Sequence, residues 1–164
     1  MSPSPTNTPP AAARRAAEAE LRGLVVKFTP TQQPLIAATR RSLRKLLPTA
    51  HEVVYEYRDC FVISFSPTGH GYEGVLALRG GTNGVRLYFN SSKGLPDPEK
   101  LLQGSGNQAR WIPLEDASSL RRPAVAALIA AALARNRVPF ASAGRGSVVV
   151  RATTAGKARG KRSA

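Results

Sequence analysis

The strongest constraint in this sequence is a change of period part-way along it. Between Gln33 and Leu47 the pattern is helical: Leu35, Ile36, Thr39, Leu43, Leu46 and Leu47 fall on one side, and Arg40, Arg41, Arg44 and Lys45 on the other. Pro48 ends that helix. From Glu52 the period becomes two. Val53, Tyr55 and Tyr57 alternate with Val54 and Glu56, and Phe61, Ile63 and Phe65 form the apolar set of a second strand. Pro67-Thr68-Gly69 supplies a turn. Two further strands, Tyr72 to Arg79 and Val85 to Asn90, flank Gly80-Gly81-Thr82-Asn83-Gly84, a segment rich in residues that tolerate the positive φ of a tight hairpin.

The rest of the chain supplies helices around this strand-rich centre. Ala11 to Val26 reads as an alanine-rich helix, with Glu18 and Arg22 spaced i, i+4 for an ion pair. Asp97 to Gln103 is a short helix candidate, opened by Asp97-Pro98 and closed by Gly104. Gln108 to Leu114 reads as a strand. Pro123 to Arg135 is a helix with Val125, Leu128, Ile129 and Leu133 as its buried stripe. The expected fold is α+β: an antiparallel sheet of four to five strands with helices on one face, in the order α-α-β-β-β-β-(α)-β-α.

Charge divides the chain differently. The net charge of the 164 residues is +14, but residues 51–140 carry only +2, while residues 1–50 and 141–164 carry +6 each. A disordered leader over 1–10, a helical extension over 11–34, an α+β domain over 35–138 and a basic, mostly disordered tail over 139–164 are therefore expected, since stretches poor in large apolar residues cannot offset the entropy of ordering. Basic ends favour polyanions. Arg40, Arg41, Arg44 and Lys45 of the second helix, with Lys157, Arg159, Lys161 and Arg162 of the tail, are the candidates for sequence-independent contact with nucleic acid.

Other chemistry is thin. Cys60 is the only cysteine, so neither an intrachain disulfide nor a thiolate metal cluster can form. No apolar run is long enough to span a bilayer, and the opening MSPSPTNTPP lacks the apolar centre of a signal peptide, so a reducing cytoplasmic location is expected. No catalytic constellation is visible: His70 sits alone in a turn, and no serine or cysteine has an elbow-like context. Gly104-Ser105-Gly106-Asn107-Gln108, followed by Arg110, could cup an anion with backbone N–H groups. Arg86, Tyr88 and Asn90 point away from Leu87 and Phe89. With Arg79 and Tyr55 or Tyr57 they would dress the uncovered sheet face in a mixture able to stack bases and hold phosphates.

Several segments carry a resemblance. Leu43-Arg44-Lys45-Leu46-Leu47-Pro48 through Glu52-Val53-Val54-Tyr55, then Val85-Arg86-Leu87-Tyr88-Phe89, Gly94-Leu95-Pro96-Asp97-Pro98, Leu102 to Gln108 and Arg110-Trp111-Ile112-Pro113-Leu114, are similar to the YdhG-like family, also called domain of unknown function 1801. The likeness spans about residues 35 to 136 and departs from the family at Asn107, where relatives often carry lysine. It implies a frataxin-like outline, and for at least one member an iron-chaperone role. The iron ligands would then be the carboxylates of Glu52, Glu56 and Asp59, with the imidazole of His51 beside them. On a strand Glu52 and Glu56 share a face about 13 Å apart, and a basic chain repels a cation. The expected function is a non-catalytic binding or accessory protein of unknown ligand. The alternatives are iron carriage by resemblance and nucleic-acid binding through the basic ends. Monomer and homodimer are both open.

Overall fold

The computed structural model describes residues 10–105 and 109–151. Two helices come first, α1 (Ala11–Phe28) and α2 (Gln33–Leu46), followed by strands β1 (His51–Glu56) and β2 (Cys60–Ser66). A short 3-10 turn over Gly71–Glu73 leads into β3 (Leu76–Gly81) and β4 (Gly84–Phe89). Then come β5 (Arg110–Pro113), a second 3-10 turn over Ala117–Arg121, α3 (Pro123–Ala134) and β6 (Val148–Val150). The fold is α+β. Its sheet runs β5-β4-β3-β2-β1-β6, antiparallel throughout except that β6 lies parallel to β1.

The alternation read from the sequence sets the two faces. Val54, Phe61, Ile63, Phe65, Leu76, Leu78, Val85, Leu87, Phe89 and Ile112 are all buried in one core. Leu21 and Leu24 of α1, Ile36 and Leu43 of α2, and Val125, Leu128 and Ile129 of α3 join that core. Removing this much apolar surface from water is the main stabilising term of the fold. The β3–β4 hairpin closes through Thr82-Asn83, and Gly84 takes φ +84°, a conformation a side chain would strain.

Three elements differ from the sequence expectation. Asp97 to Gln103 is not a helix. The Asp97 carboxylate instead accepts hydrogen bonds from the Leu101 and Leu102 backbone N–H groups, at 2.9 Å each. Gln103 forms a two-way backbone bridge with Trp111. A side chain that captures nearby N–H groups competes directly with the helical ladder. Leu46, placed on the apolar side of α2, is half exposed. Beyond 138, Val148–Val150 form a sixth strand, because three β-branched residues can pair with the free edge of β1 and bury Val148. The remainder of the basic tail, including Lys157, Arg159, Lys161 and Arg162, lies outside the described residues.

An ion network ties the helices to the sheet. Glu52 pairs with Phe65 across β1–β2, so its carboxylate lies on the helix-covered face, where it is 3% exposed. Arg40 reaches it from α2 at 2.5 Å and also forks onto both oxygens of Glu18 on α1, at 2.8 and 2.7 Å. Arg44 adds a contact to Glu52 at 3.0 Å and a longer one to Glu18. Hydrogen bonding to Arg40 holds the Glu18 carboxyl below its usual range even though burial pushes it up. Burial works against the charge of Arg40, but the bond to Glu18 and the charge of Glu52 hold its pKa above the ordinary guanidinium value. Glu18 thus bonds across to α2, whereas the sequence spacing pairs it with Arg22 along α1.

A buried pair broken on one side leaves an uncompensated charge, which costs about 3–5 kcal/mol. Arg40→Met is therefore expected to lower stability by about 3 kcal/mol or more in urea unfolding. The double change Arg40→Met with Glu52→Leu should recover much of that loss. A single change within 0.5 kcal/mol of the parent would show that the network carries no such strength.

Candidate anion-binding face

Strand alternation places a second set of side chains on the side of the sheet away from the helices. The register lines up Pro113, Arg86, Arg79, Val62 and Tyr55 across β5-β4-β3-β2-β1, all on that face. The adjacent line is Trp111, Tyr88, Ala77, Ser64 and Val53. Part of this face is roofed by the segment around Gly71–Glu73. Ser64 Oγ donates to the Gly71 carbonyl at 2.8 Å, Ser66 Oγ donates to the His70 carbonyl, and the Asn90 side chain donates to the Gly74 carbonyl. A Cβ on Gly71 would collide with the Tyr55 ring, and one on Gly74 with Ser64 Oγ. This close approach is what the two glycines permit. Ser64, Val53 and Ala77 are buried beneath the roof, Tyr55 is half-buried against Gly71 at its edge, and Arg86, Arg79 and Val62 remain half-buried beside it.

The strip so left is cationic and aromatic. Arg79 and Arg86 stand directly opposite one another on β3 and β4, a like-charge pairing that is unfavourable in isolation. Among the described residues neither forms an ion pair with a carboxylate. Arg79 Nη1 is buried with no acceptor. Arg86 lies over the Trp111 indole, 3.6 Å from the ring centre, and its Nη1 is 3.4 Å from the Tyr88 hydroxyl. Tyr88 and Trp111 have ring centres 6.3 Å apart and tilted. At the far end Tyr55 stacks on Tyr57 at 6.2 Å. Stacking on an indole orients a guanidinium without neutralising it.

The residues singled out from the sequence are sorted by this geometry. Arg86 and Tyr88 come together as expected. Gly104, at φ +100°, lies against Trp111, where an added Cβ would be 3.1 Å from the indole nitrogen. Ser105 is exposed beside it. Gly106 lies outside the described residues. Arg110 pairs opposite Phe89 and so belongs to the other side of the sheet from Arg86. Arg41 and Lys45 are exposed on α2, but Arg40 and Arg44 are not available as a nucleic-acid face, because the carboxylates of Glu18 and Glu52 hold them. Trp111 is the residue the sequence reading missed at this site. Its position one residue before the core-facing Ile112 was the signal that it faces outward.

The iron candidates do not assemble. Glu52 is held by two arginines, Glu56 is bound by Lys27 at 2.5 Å, and His51 points to the opposite face of β1. No group of three His, Cys, Asp or Glu residues able to hold a metal occurs among the described residues. Cys60 is buried, and His70 stacks on the exposed ring of Tyr72 at 5.3 Å. Two concavities lie at the margins of this face. One of about 220 Å³ is bounded by Leu101, Gln103, Ile112 and Pro113. The other, of about 490 Å³, lies between Tyr72 to Val75 and the end of α3.

In comparison with family models, with curated proteins and with solved structures, the chain matches none. Among the described residues no helix is long and apolar enough to cross a membrane.

His51 ties the last strand to the first. Its Nδ1 accepts the Ser147 backbone N–H at 3.2 Å and lies 2.9 Å from Ser147 Oγ, while Glu52 N–H donates to the Ser147 carbonyl. Burial depresses the His51 pKa below the ordinary imidazole value of about 6.5. Its neutral form therefore contributes stability that is complete above about pH 6.5 and is lost as pH falls through the depressed pKa. The protection factors of the Glu52 and Arg151 amides, which bond across β1–β6, should fall between pH 7 and pH 5 once the intrinsic slowing of exchange is divided out. In His51→Gln that fall should vanish. An identical profile in both proteins would remove His51 from the account.

Proposed function

We propose that this chain is a non-catalytic binding protein whose ligand is a phosphate-bearing polyanion, held on the strip of sheet beside the Gly71–Glu73 roof. The observation that carries this reading is the cross-strand pair Arg79–Arg86, set on an open face without a carboxylate partner among the described residues. Two cations face to face raise each other's energy, and the buried donor of Arg79 adds a desolvation cost. A polyanion laid along the strip relieves the repulsion between the two charges. Membership of the YdhG-like family is part of the same proposal and rests on the sequence resemblance. Iron carriage, the other role that resemblance implies, finds little support where Glu52, Glu56 and His51 are engaged separately. Binding through basic ends keeps only Arg41 and Lys45 as free-standing candidates on α2.

Inorganic polyphosphate titrated against the full chain tests the assignment. Arg79→Ala with Arg86→Ala should weaken binding about tenfold or more, since charge-assisted hydrogen bonds are worth about 1.5–3 kcal/mol each. Arg41→Ala with Lys45→Ala should change it less than threefold. Truncation after Arg151 leaves β6 in place and reports on the tail separately. If that truncation abolishes binding while the double arginine variant leaves it intact, the polyanion belongs to the tail and the strip has no part in it.

A further inference from the structure

The strip has a polarity of chemistry that an anion site alone does not need. Arginines occupy its centre, and an aromatic pair stands at each end: Trp111 with Tyr88 over β5–β4, and Tyr55 with Tyr57 at β1. Five strands spaced about 4.8 Å apart give the line from Pro113 to Tyr55 a length of about 19 Å. Resting on the polyanion reading above, we infer that the ligand is single-stranded nucleic acid, lying across the strands with its phosphates on Arg79 and Arg86 and bases stacked at the aromatic ends.

Three features select this occupant. First, a plain polyanion would be served by cations alone, yet four aromatic rings share this face with two arginines. Rings on a half-exposed sheet give π-surfaces to unstacked bases, whatever the base. Second, a duplex keeps its bases stacked inside and offers a sheet only its phosphates, so the rings would go unused. Third, Arg86 is held flat on Trp111, which presents a planar guanidinium both as a stacking surface and as a charge. A length of about 19 Å suits a segment of about four nucleotides, the low end of the range for platforms of this kind. Among the described residues Arg86 is held flat on Trp111 and the rings stack on any base, so binding through them shows little sequence preference.

The protein carries its own reporter. Trp111 is the only tryptophan, so its fluorescence reads occupancy of the strip directly. The probes are 12-nucleotide oligothymidylate and oligouridylate, a 12-base-pair duplex and inorganic polyphosphate, each titrated against the full chain at two salt concentrations. Both single strands are expected to quench Trp111 and to bind at least tenfold more tightly than the duplex. Tyr88→Ala and Tyr55→Ala should each weaken single-strand binding about tenfold, with polyphosphate binding unchanged. Trp111→Phe, which keeps a ring, should retain affinity where Trp111→Ala loses it, and thermal melting of both variants checks that the fold survives. Arg79→Ala should lower the salt slope by about 0.7 for the phosphate contact it removes.

The outcomes separate the two readings. Equal affinity for duplex and single strand, or aromatic variants that bind as the parent does, would overturn the single-strand assignment while the polyanion reading stands. Binding of none of the four probes at the strip, seen as unchanged Trp111 emission, would overturn both.

Discussion

Glu52 is the hinge of this architecture. A carboxylate that is 3% exposed on the core side of a strand is tolerable only because Arg40 and Arg44 converge on it from α2. Arg40 cannot serve Glu52 alone, since its fork also grips Glu18, and that second grip fixes α1. One guanidinium therefore sets the position of two helices relative to the sheet. Apolar burial supplies the stability of the core but is indifferent to direction, whereas the fork has a fixed geometry. We regard the network chiefly as a device for register, the best-attested use of buried ion pairs.

Much of this architecture can be read from the residues. The period-two runs at Val53–Glu56 and Phe61–Phe65, the Thr82-Asn83 hairpin and the stripe of α3 all specify local structure through side-chain alternation and turn chemistry, so they translate directly. What stays hidden is what depends on distant partners. Arg40 and Arg44 look like a solvated basic face until Glu18 and Glu52 are brought beneath them, 22 and 12 residues away from Arg40. Val148–Val150 look like an interruption in a basic tail until the free edge of β1 is available. Asp97 fails as a helix start because its carboxylate turns onto Leu101 and Leu102, a local competition that composition does not resolve.

The open face shows the same division. That Arg86 and Tyr88 face outward follows from the core position of Leu87 between them, and Arg79 follows from Leu78. Their neighbourhood with Trp111 does not, because β5 comes more than twenty residues later and its pairing with β4 fixes which rings meet which cations. Gly104, which opens the turn that reads as an anion cup in sequence, flanks the indole, while residues 106–108 of that turn lie outside the described residues. Charge that looked concentrated at the ends of the chain is partly neutralised inside it, and Arg79 and Arg86, without a carboxylate partner among the described residues, sit in the segment nearest to charge balance.

The parallel pairing of β6 has a consequence for how the chain reaches its native state. His51 meets Ser147 across 96 residues, so β1 acquires its outer neighbour only after nearly the whole domain exists. During synthesis the hairpins β1–β2 and β3–β4 can close early over short loops, while one rim of the growing sheet keeps unpaired N–H and C=O groups. That rim is the natural point for two nascent copies to stick together. Val148–Val150 then act as a built-in cap that arrives last, and the speed of their arrival sets how long the danger lasts.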